Sequence, residues 1–254
     1  MTKRAVSPAP GTQPAGSTDE AAAARSVRKL FSDITPRYDL LNHLLSLNRD
    51  RYWRRATARR FRPLLRQPDR RVLDLCCGTA DLTLALGRQG PARIISCDFS
   101  HPMLVRAQQK LRQRSLTPLV MEADALRLPF ADNSFDLVAC SFGFRNLANY
   151  HSGLREIWRV LRPGGEVGIL EFSQPDGRCS GALYAFYFQR ILPAIGEWVS
   201  GVGGSYSYLP ISVNRFPDRQ EFVEWMRKAE FVNPDARKLT WGIAVLYSAK
   251  KPSP

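Results

Sequence analysis

Three short apolar runs in this sequence carry an aspartate where a strand would open onto a ligand. Val72 to Cys77 contains Asp74 and leads into Gly78-Thr79-Ala80-Asp81; Arg93 to Asp98 ends in an acid; Leu119 to Asp124 ends in another, followed by Ala125. A fourth run, Phe135 to Ser141, ends in a hydroxyl. Asp98 stands 20 positions after Gly78 (98 − 78), a spacing that suits a carboxylate accepting from both hydroxyls of a ribose. Asp124 and Ala125 then fall where a base would lie, with the carboxylate or the backbone meeting an exocyclic amine. Gly78 lets a ligand approach the backbone. Neither G-x-G-x-x-G nor G-K-[ST] follows the first run, so pyrophosphate binding is disfavoured. An acid near the turn, Asp74, is tolerable for a ligand that has no phosphate and carries positive charge, where a nucleotide would be repelled. Any one of these acids could cap a helix or sit in a solvated loop; the combination points to a ligand site.

These residues need a parallel sheet to bring them together. Strand-like runs of four to seven residues alternate with helical patterns from residue 72 to 172. Asp81 to Arg88 reads as a helix, Ser100 caps another that runs to Arg114, and 151 to 161 presents Leu154, Ile157, Trp158 and Leu161 on one face. This alternation predicts an α/β doubly wound sheet, whose ligands bind at the carboxyl ends of the strands. Residues 1 to 22 are rich in Pro, Ala, Gly, Ser and Thr and read as a disordered tail. Residues 23 to 254 form the domain, with an N-terminal helical cap over 23 to 68. An apolar, aromatic insertion at 182 to 199 and a Gly/Ser/Tyr loop precede a helix at 219 to 229 and two closing strands near 233 to 240 and 242 to 250.

The chain has 254 residues and a net charge of +14, with 30 Arg and 7 Lys. Such a charge suits nucleic acid or an anionic membrane, although Arg preference can also reflect genome composition. Residues 49 to 71 hold ten Arg against two acids, interleaved with Tyr52, Trp53, Phe61 and Leu64. No run reaches the length of a membrane span, and the first 20 residues lack the apolar core of a secretory signal. The five Cys (76, 77, 97, 140, 179) form no C-x-x-C pair, which argues against a disulfide framework or a zinc site and fits a reducing cytoplasm. Cys76 and Cys77 read as packing residues. His43, His101 and His151 show no metal or triad spacing, and no metal is expected.

Val72 to Asp81 resembles the first motif of class I S-adenosylmethionine-dependent methyltransferases. Further segments narrow the likeness. Phe31-Ser-Asp-Ile-Thr-Pro-Arg-Tyr-Asp-Leu-Leu-Asn42, Ser141-Phe-Gly-Phe-Arg-Asn146, Leu170-Glu-Phe-Ser173, Leu192-Pro-Ala-Ile-Gly196 and Ser205 to Val213 with Phe216-Pro-Asp218 together resemble the menaquinone and ubiquinone biosynthesis C-methyltransferases, in order, from about residue 27 to 250. The resemblance implies a seven-stranded Rossmann-like class I methyltransferase sheet with N-terminal helices and a helical insertion before the last strands. It implies S-adenosylmethionine as cofactor, held by Thr79, Asp98, Asp124, Ala125 and Ser141 beside Asp74 and Gly78. Many members of that family have Gly at the positions of Cys77 and Ala80; the Cys-Cys form occurs in its menaquinone branch.

By the same resemblance, the reaction is methylation of a ring carbon of a reduced, polyprenylated demethylquinone. Arg145 is the candidate for stabilising a developing phenolate; the alternative is a structural Arg paired with an acid. Tyr38, Asp39, Asn146, Tyr206 and Tyr208 are candidates for the quinol pocket. The acceptor's tail places the enzyme transiently at the inner face of an anionic cytoplasmic membrane, reached through the Arg-rich helix and segment 182 to 199. Burial of that segment under the Tyr-rich loop or in a homodimer is the alternative. A ubiquinone-branch or dual-branch enzyme is a second reading. An RNA methyltransferase would show a catalytic Cys, an NPPY-like motif or an RNA-binding module; none is evident, so no nucleic acid partner is expected. A non-enzymatic basic binding protein would not retain the cofactor acids.

Overall fold

A computed structural model describes residues 11–14, 16–114, 116, 119–173, 175 and 208–253. Segment 182 to 199 and Tyr206 lie outside the described residues. Seven strands form one sheet in the order β3-β2-β1-β4-β5-β7-β6. They are β1 (Arg71–Leu75), β2 (Arg93–Asp98), β3 (Leu119–Glu122), β4 (Phe135–Ser141), β5 (Leu161–Phe172), β6 (Val232–Leu239) and β7 (Ala244–Lys250). The first five are parallel, and β7 runs antiparallel between β5 and β6. The order reverses at β1, so the carboxyl ends of β1, β2 and β4 surround a crevice, the usual ligand position in such sheets.

Among the described residues the α-helices are α1 (Glu20–Ile34), α2 (Tyr38–Leu45), α3 (Arg49–Arg60), α4 (Arg62–Leu65), α5 (Asp81–Gly87), α6 (His101–Arg112), α7 (Tyr150–Val160), α8 (Tyr208–Arg215) and α9 (Arg219–Lys228). Strand alternation sorts the core. Leu73 and Leu75 face α7 and α9, where Leu154, Ile157, Phe222 and Met226 are buried, while Val72 faces Phe61, Leu65, Leu82 and Leu86 on the other side. Burying a side chain of this size contributes roughly 1.5–3 kcal/mol, so the two faces hold the sheet firmly.

Caps explain where several helices begin. Asp19 accepts from Ala22 N, Asn149 from Ser152 N, and Asp218 from Gln220 N and Glu221 N. Ser100 departs from its expected role. It occupies the N-cap position of α6, but its hydroxyl shares a hydrogen bond with Ser32 Oγ at 3.2 Å instead of capping the turn. That bond ties α1 to the end of β2. The expected tail also contains structure. Helix α1 starts at Glu20, Thr12 is buried, and its N–H donates to Leu147 O at 2.8 Å.

Candidate functional site

A cavity of about 730 Å³, counted out to its mouth, opens at the carboxyl ends of β1, β2 and β4 and is roofed by Ala24 and Phe31 of α1 and Tyr38 of α2. Its size is that of an ordinary ligand pocket. Seven of the expected residues line it: Tyr38, Gly78, Asp98, Asp124, Ala125, Ser141 and Asn146. None of its described lining residues is Lys or Arg, so the lining offers carboxylates and no counterion for a phosphate.

The turn after β1 is built for close approach. Gly78 has φ +54°, and a Cβ placed there would meet only the Tyr38 ring, at 3.7 Å. Its N–H donates to Asp98 Oδ2 at 2.9 Å, and Ser100 N–H donates to Asp98 Oδ1 at 2.9 Å. Burial pushes the Asp98 carboxyl above the usual carboxylate range, partly offset by the N–H groups of Ser100, Gly78 and Phe99. Asp124 is exposed at the cavity and accepts from Leu126 N at 2.9 Å. An acid-lined cradle with open space over a glycine and no lining cation fits a sulfonium-bearing nucleoside.

Four expected site residues do not line the cavity. Asp74 shares the face of Val72, so it points at α5 and not at the strand end; its Oδ2 accepts from Thr83 Oγ1 at 2.5 Å, and Oδ1 has no partner among the described residues. Burial lifts its carboxyl to about 7. Because this lies above the unfolded value of 3.8, the native state binds the proton more tightly. Stability is therefore fully present at low pH and falls as pH rises toward about 7. Asp74→Asn is expected to raise the melting temperature near pH 8 and to change it little near pH 4, measured by calorimetry.

Thr79 is buried and donates to Asp39 Oδ1 at 2.5 Å. Lys110 of α6 reaches Thr79 Oγ1 at 3.1 Å, Asp39 at 2.9 Å and Asp81 at 2.7 Å. Thr79 and Asp39 thus clamp the cap to the turn. Arg145 is buried with Glu171, which has no exposed surface; the pair is 3.0 Å apart, and Arg145 also reaches Ser212 Oγ at 3.3 Å and donates to Phe142 O. The acid-paired alternative describes this placement. Tyr208 begins α8.

One further group stands beside the cavity, around Asp50. His43 Nδ1 lies 2.8 Å from Asp50 Oδ2, Ser46 Oγ donates to Asp50 Oδ1 at 2.6 Å, and Arg54 binds Asp50. Asp81 lies 3.8 Å from His43 Nε2 and 3.9 Å from Arg54. His43, Asp50 and Asp81 could together face a metal ion, but Arg54 and Lys110 already balance these acids. Sequence reasoning missed this group; the i, i+4 spacing of Asp50 and Arg54 is the one local signal for it.

The thiols beside the turn are not activated. Hydrogen bonding with Cys140 and burial push Cys76 up, and burial pushes Cys77 and Cys97 up. A thiolate nucleophile is therefore disfavoured here. Tyr38 is also raised by burial, partly offset by the charge of Arg54.

The sequence model of the ubiE/COQ5 methyltransferase family matches residues 18–251. A demethylmenaquinone methyltransferase of Deinococcus radiodurans is 45% identical over 234 residues, covering 92% of this chain and 95% of that protein. One from Thermus thermophilus is 44% identical, covering 88% and 100%. A ubiquinone/menaquinone biosynthesis C-methyltransferase of Geobacter sulfurreducens is 42% identical, covering 89% and 88%. The fold resembles that of a SAM-dependent methyltransferase from Thermotoga maritima, with TM-score 0.59 and 17% identity over 89% of this chain and 99% of that one. This chain belongs to the ubiE/COQ5 methyltransferase family.

Proposed function

We propose that the protein methylates a ring carbon of demethylmenaquinol, with S-adenosylmethionine as methyl donor. The observation that carries this reading is the acid-lined cavity without a lining cation, roofed by the Phe31–Asn42 segment that resembles the quinol C-methyltransferases. When bound, the cofactor supplies an electrophilic methyl: the ring carbon forms the new C–CH₃ bond, the S–CH₃ pair stays on sulfur, and the ring proton leaves to water. The chain's residues hold and shield the reactants. Asp98 offers the ribose its carboxylate, Asp124 and Ala125 frame the base, and Ser141 ends the strand beside the methionine part. Tyr38 and Asn146 face the acceptor, while Thr79, Asp39 and Lys110 keep the cap closed so that water is excluded.

Of the quinol branches, demethylmenaquinol is favoured by the Cys76-Cys77 turn and by the names of the two relatives quoted first. The third relative's name leaves a dual role as the second reading. Expression in two deletion strains, one blocked in menaquinone and one in ubiquinone methylation, separates them. Restored menaquinone alone is the expected mass-spectrometric result; restored ubiquinone alone contradicts the branch assignment.

No described helix is long and apolar enough to cross a membrane. The cap nevertheless exposes Leu40 (61%), Leu44 (42%) and Leu47 (72%) beside Tyr52 and the exposed Arg49, Arg51 and Arg55. Apolar side chains bordered by arginines suit an anionic bilayer surface, where the prenylated acceptor resides. Sedimentation with phosphatidylglycerol vesicles is expected to fall steeply as salt rises, and Leu44→Glu with Leu47→Glu is expected to abolish it. Salt-independent binding, or none, would remove the electrostatic part of this proposal.

A further inference from the structure

Arg54 is the one arginine of α3 that is buried; Arg49, Arg51, Arg55, Arg59 and Arg60 are exposed. Its guanidinium is not part of the cavity lining but touches two residues that are. Nε lies 3.4 Å from Ser141 Oγ, and Cζ lies 5.2 Å from the centroid of the Phe142 ring. Among the described residues, Nη2 makes no hydrogen bond. A buried guanidinium is costly unless its charge is used, and the fixed fork of five donors suits an oxyanion.

The neighbouring arginine is differently placed. Arg145 Cζ lies 5.3 Å from the Phe172 ring, and the Phe142 and Phe172 rings are 4.4 Å apart. Arg145 pairs with Glu171, which also accepts from the Phe172 backbone N–H at 3.1 Å. The carboxylate beside Arg54 is shared: Asp50 also accepts from Ser46 and contacts His43. Two buried cations thus flank one ring pair, and among the described residues Arg54 is the one whose acid is shared with other side chains.

We propose that Arg54 receives the phenolate oxygen of the acceptor and stabilises it as the ring carbon is methylated. This rests on the quinol reading above. Loss of the phenol proton raises the electron density of the ring carbon, so a cation fixed near that oxygen favours the reactive form. The ionisable groups facing Arg54 come from every element around it. They are Asp50 on its own helix, His43 and Tyr38 on α2, Asp74 on β1, and Asp81 on α5 with Lys110 of α6 behind it; Asp98 and Arg145 act on Tyr38 from the other side.

The test uses the whole protein with S-adenosylhomocysteine and 4-methoxy-1-naphthol, a naphthol with one ionisable hydroxyl. Absorbance titration reads the phenol-to-phenolate midpoint on and off the enzyme. On the wild type the midpoint is expected to drop by about one unit or more, on Arg54→Lys by less, and on Arg54→Gln by almost nothing. In parallel, Arg54→Gln is expected to lower kcat ~10²–10³-fold. Its KM for S-adenosylmethionine should stay within about twofold and its kcat–pH profile should move to higher pH, neither of which follows from a purely structural role. An unshifted midpoint on the wild type overturns the proposal, as does a full shift retained by Arg54→Gln. If Arg54→Gln does not fold, a full shift retained by Arg54→Lys overturns it. A shifted midpoint in a protein that does not methylate demethylmenaquinol would retire the quinol reading and leave the oxyanion site standing.

Discussion

Asp98→Ala is expected to weaken S-adenosylmethionine binding by about two orders of magnitude, measured by titration calorimetry. Two effects add. On the proposed assignment the ribose loses a carboxylate acceptor, and hydrogen bonds to charged groups contribute about 1.5–3 kcal/mol each. The turn also loses the bonds from Gly78 N and Ser100 N, leaving donors unmatched at the point where the ligand approaches the backbone. Asp98→Asn, which keeps one acceptor, should fall between the variant and the wild type. Because burial raises the Asp98 carboxyl, affinity should begin to decline on acidification at a higher pH than for an ordinary aspartate: the carboxylate is present above its pKa and lost below it. An unchanged affinity in Asp98→Ala would remove the ribose assignment.

Arg145→Ala is expected to destabilise the protein by about 3–5 kcal/mol. Glu171 has no exposed surface and accepts from both the backbone N–H and the guanidinium of Arg145, each at 3.0 Å. Removing the guanidinium leaves a buried, uncompensated carboxylate. At roughly 2–4 °C per kcal/mol for a chain of this size, the melting temperature should fall by roughly 6–20 °C. Replacing both partners with Met should recover part of that loss, because an unpaired buried charge costs more than a missing pair. A variant that melts like the wild type would mean that Glu171 is not compensated by Arg145. Turnover measured on Arg145→Ala is therefore to be compared with the double replacement, which separates loss of fold from loss of chemistry.

The sheet and its ligand edge were readable in the sequence because both are local patterns. Apolar runs marked the strands, and Asp98, Asp124 and Ser141 mark the strand ends that the cavity uses. Asp74 does not line the cavity although its position is equally local: residues two apart on a strand share a face, so Asp74 goes with Val72, toward α5. The side-chain partnerships were hidden by distance along the chain. Arg145 meets Glu171 across 26 positions, Thr79 meets Asp39 across 40, and Trp53 Nε1 meets Thr240 Oγ1 across 187. Composition cannot distinguish Arg54 from the five exposed arginines of its helix, since burial depends on which helix face meets α5 and β5. Ser100 shows the same limit, as its hydroxyl went to Ser32 of a distant helix.

The central claim is methyl transfer to a demethylnaphthoquinol carbon. The most direct measurement supplies the purified protein with methyl-deuterated S-adenosylmethionine and demethylmenaquinol without oxygen, then reads the extracted quinone by mass spectrometry. The expected product is menaquinone carrying one deuterated methyl on the ring carbon, formed on many turnovers and accompanied by an equal amount of S-adenosylhomocysteine. Binding of the cofactor with no label entering the quinone, or label on an oxygen instead of the ring carbon, would contradict it.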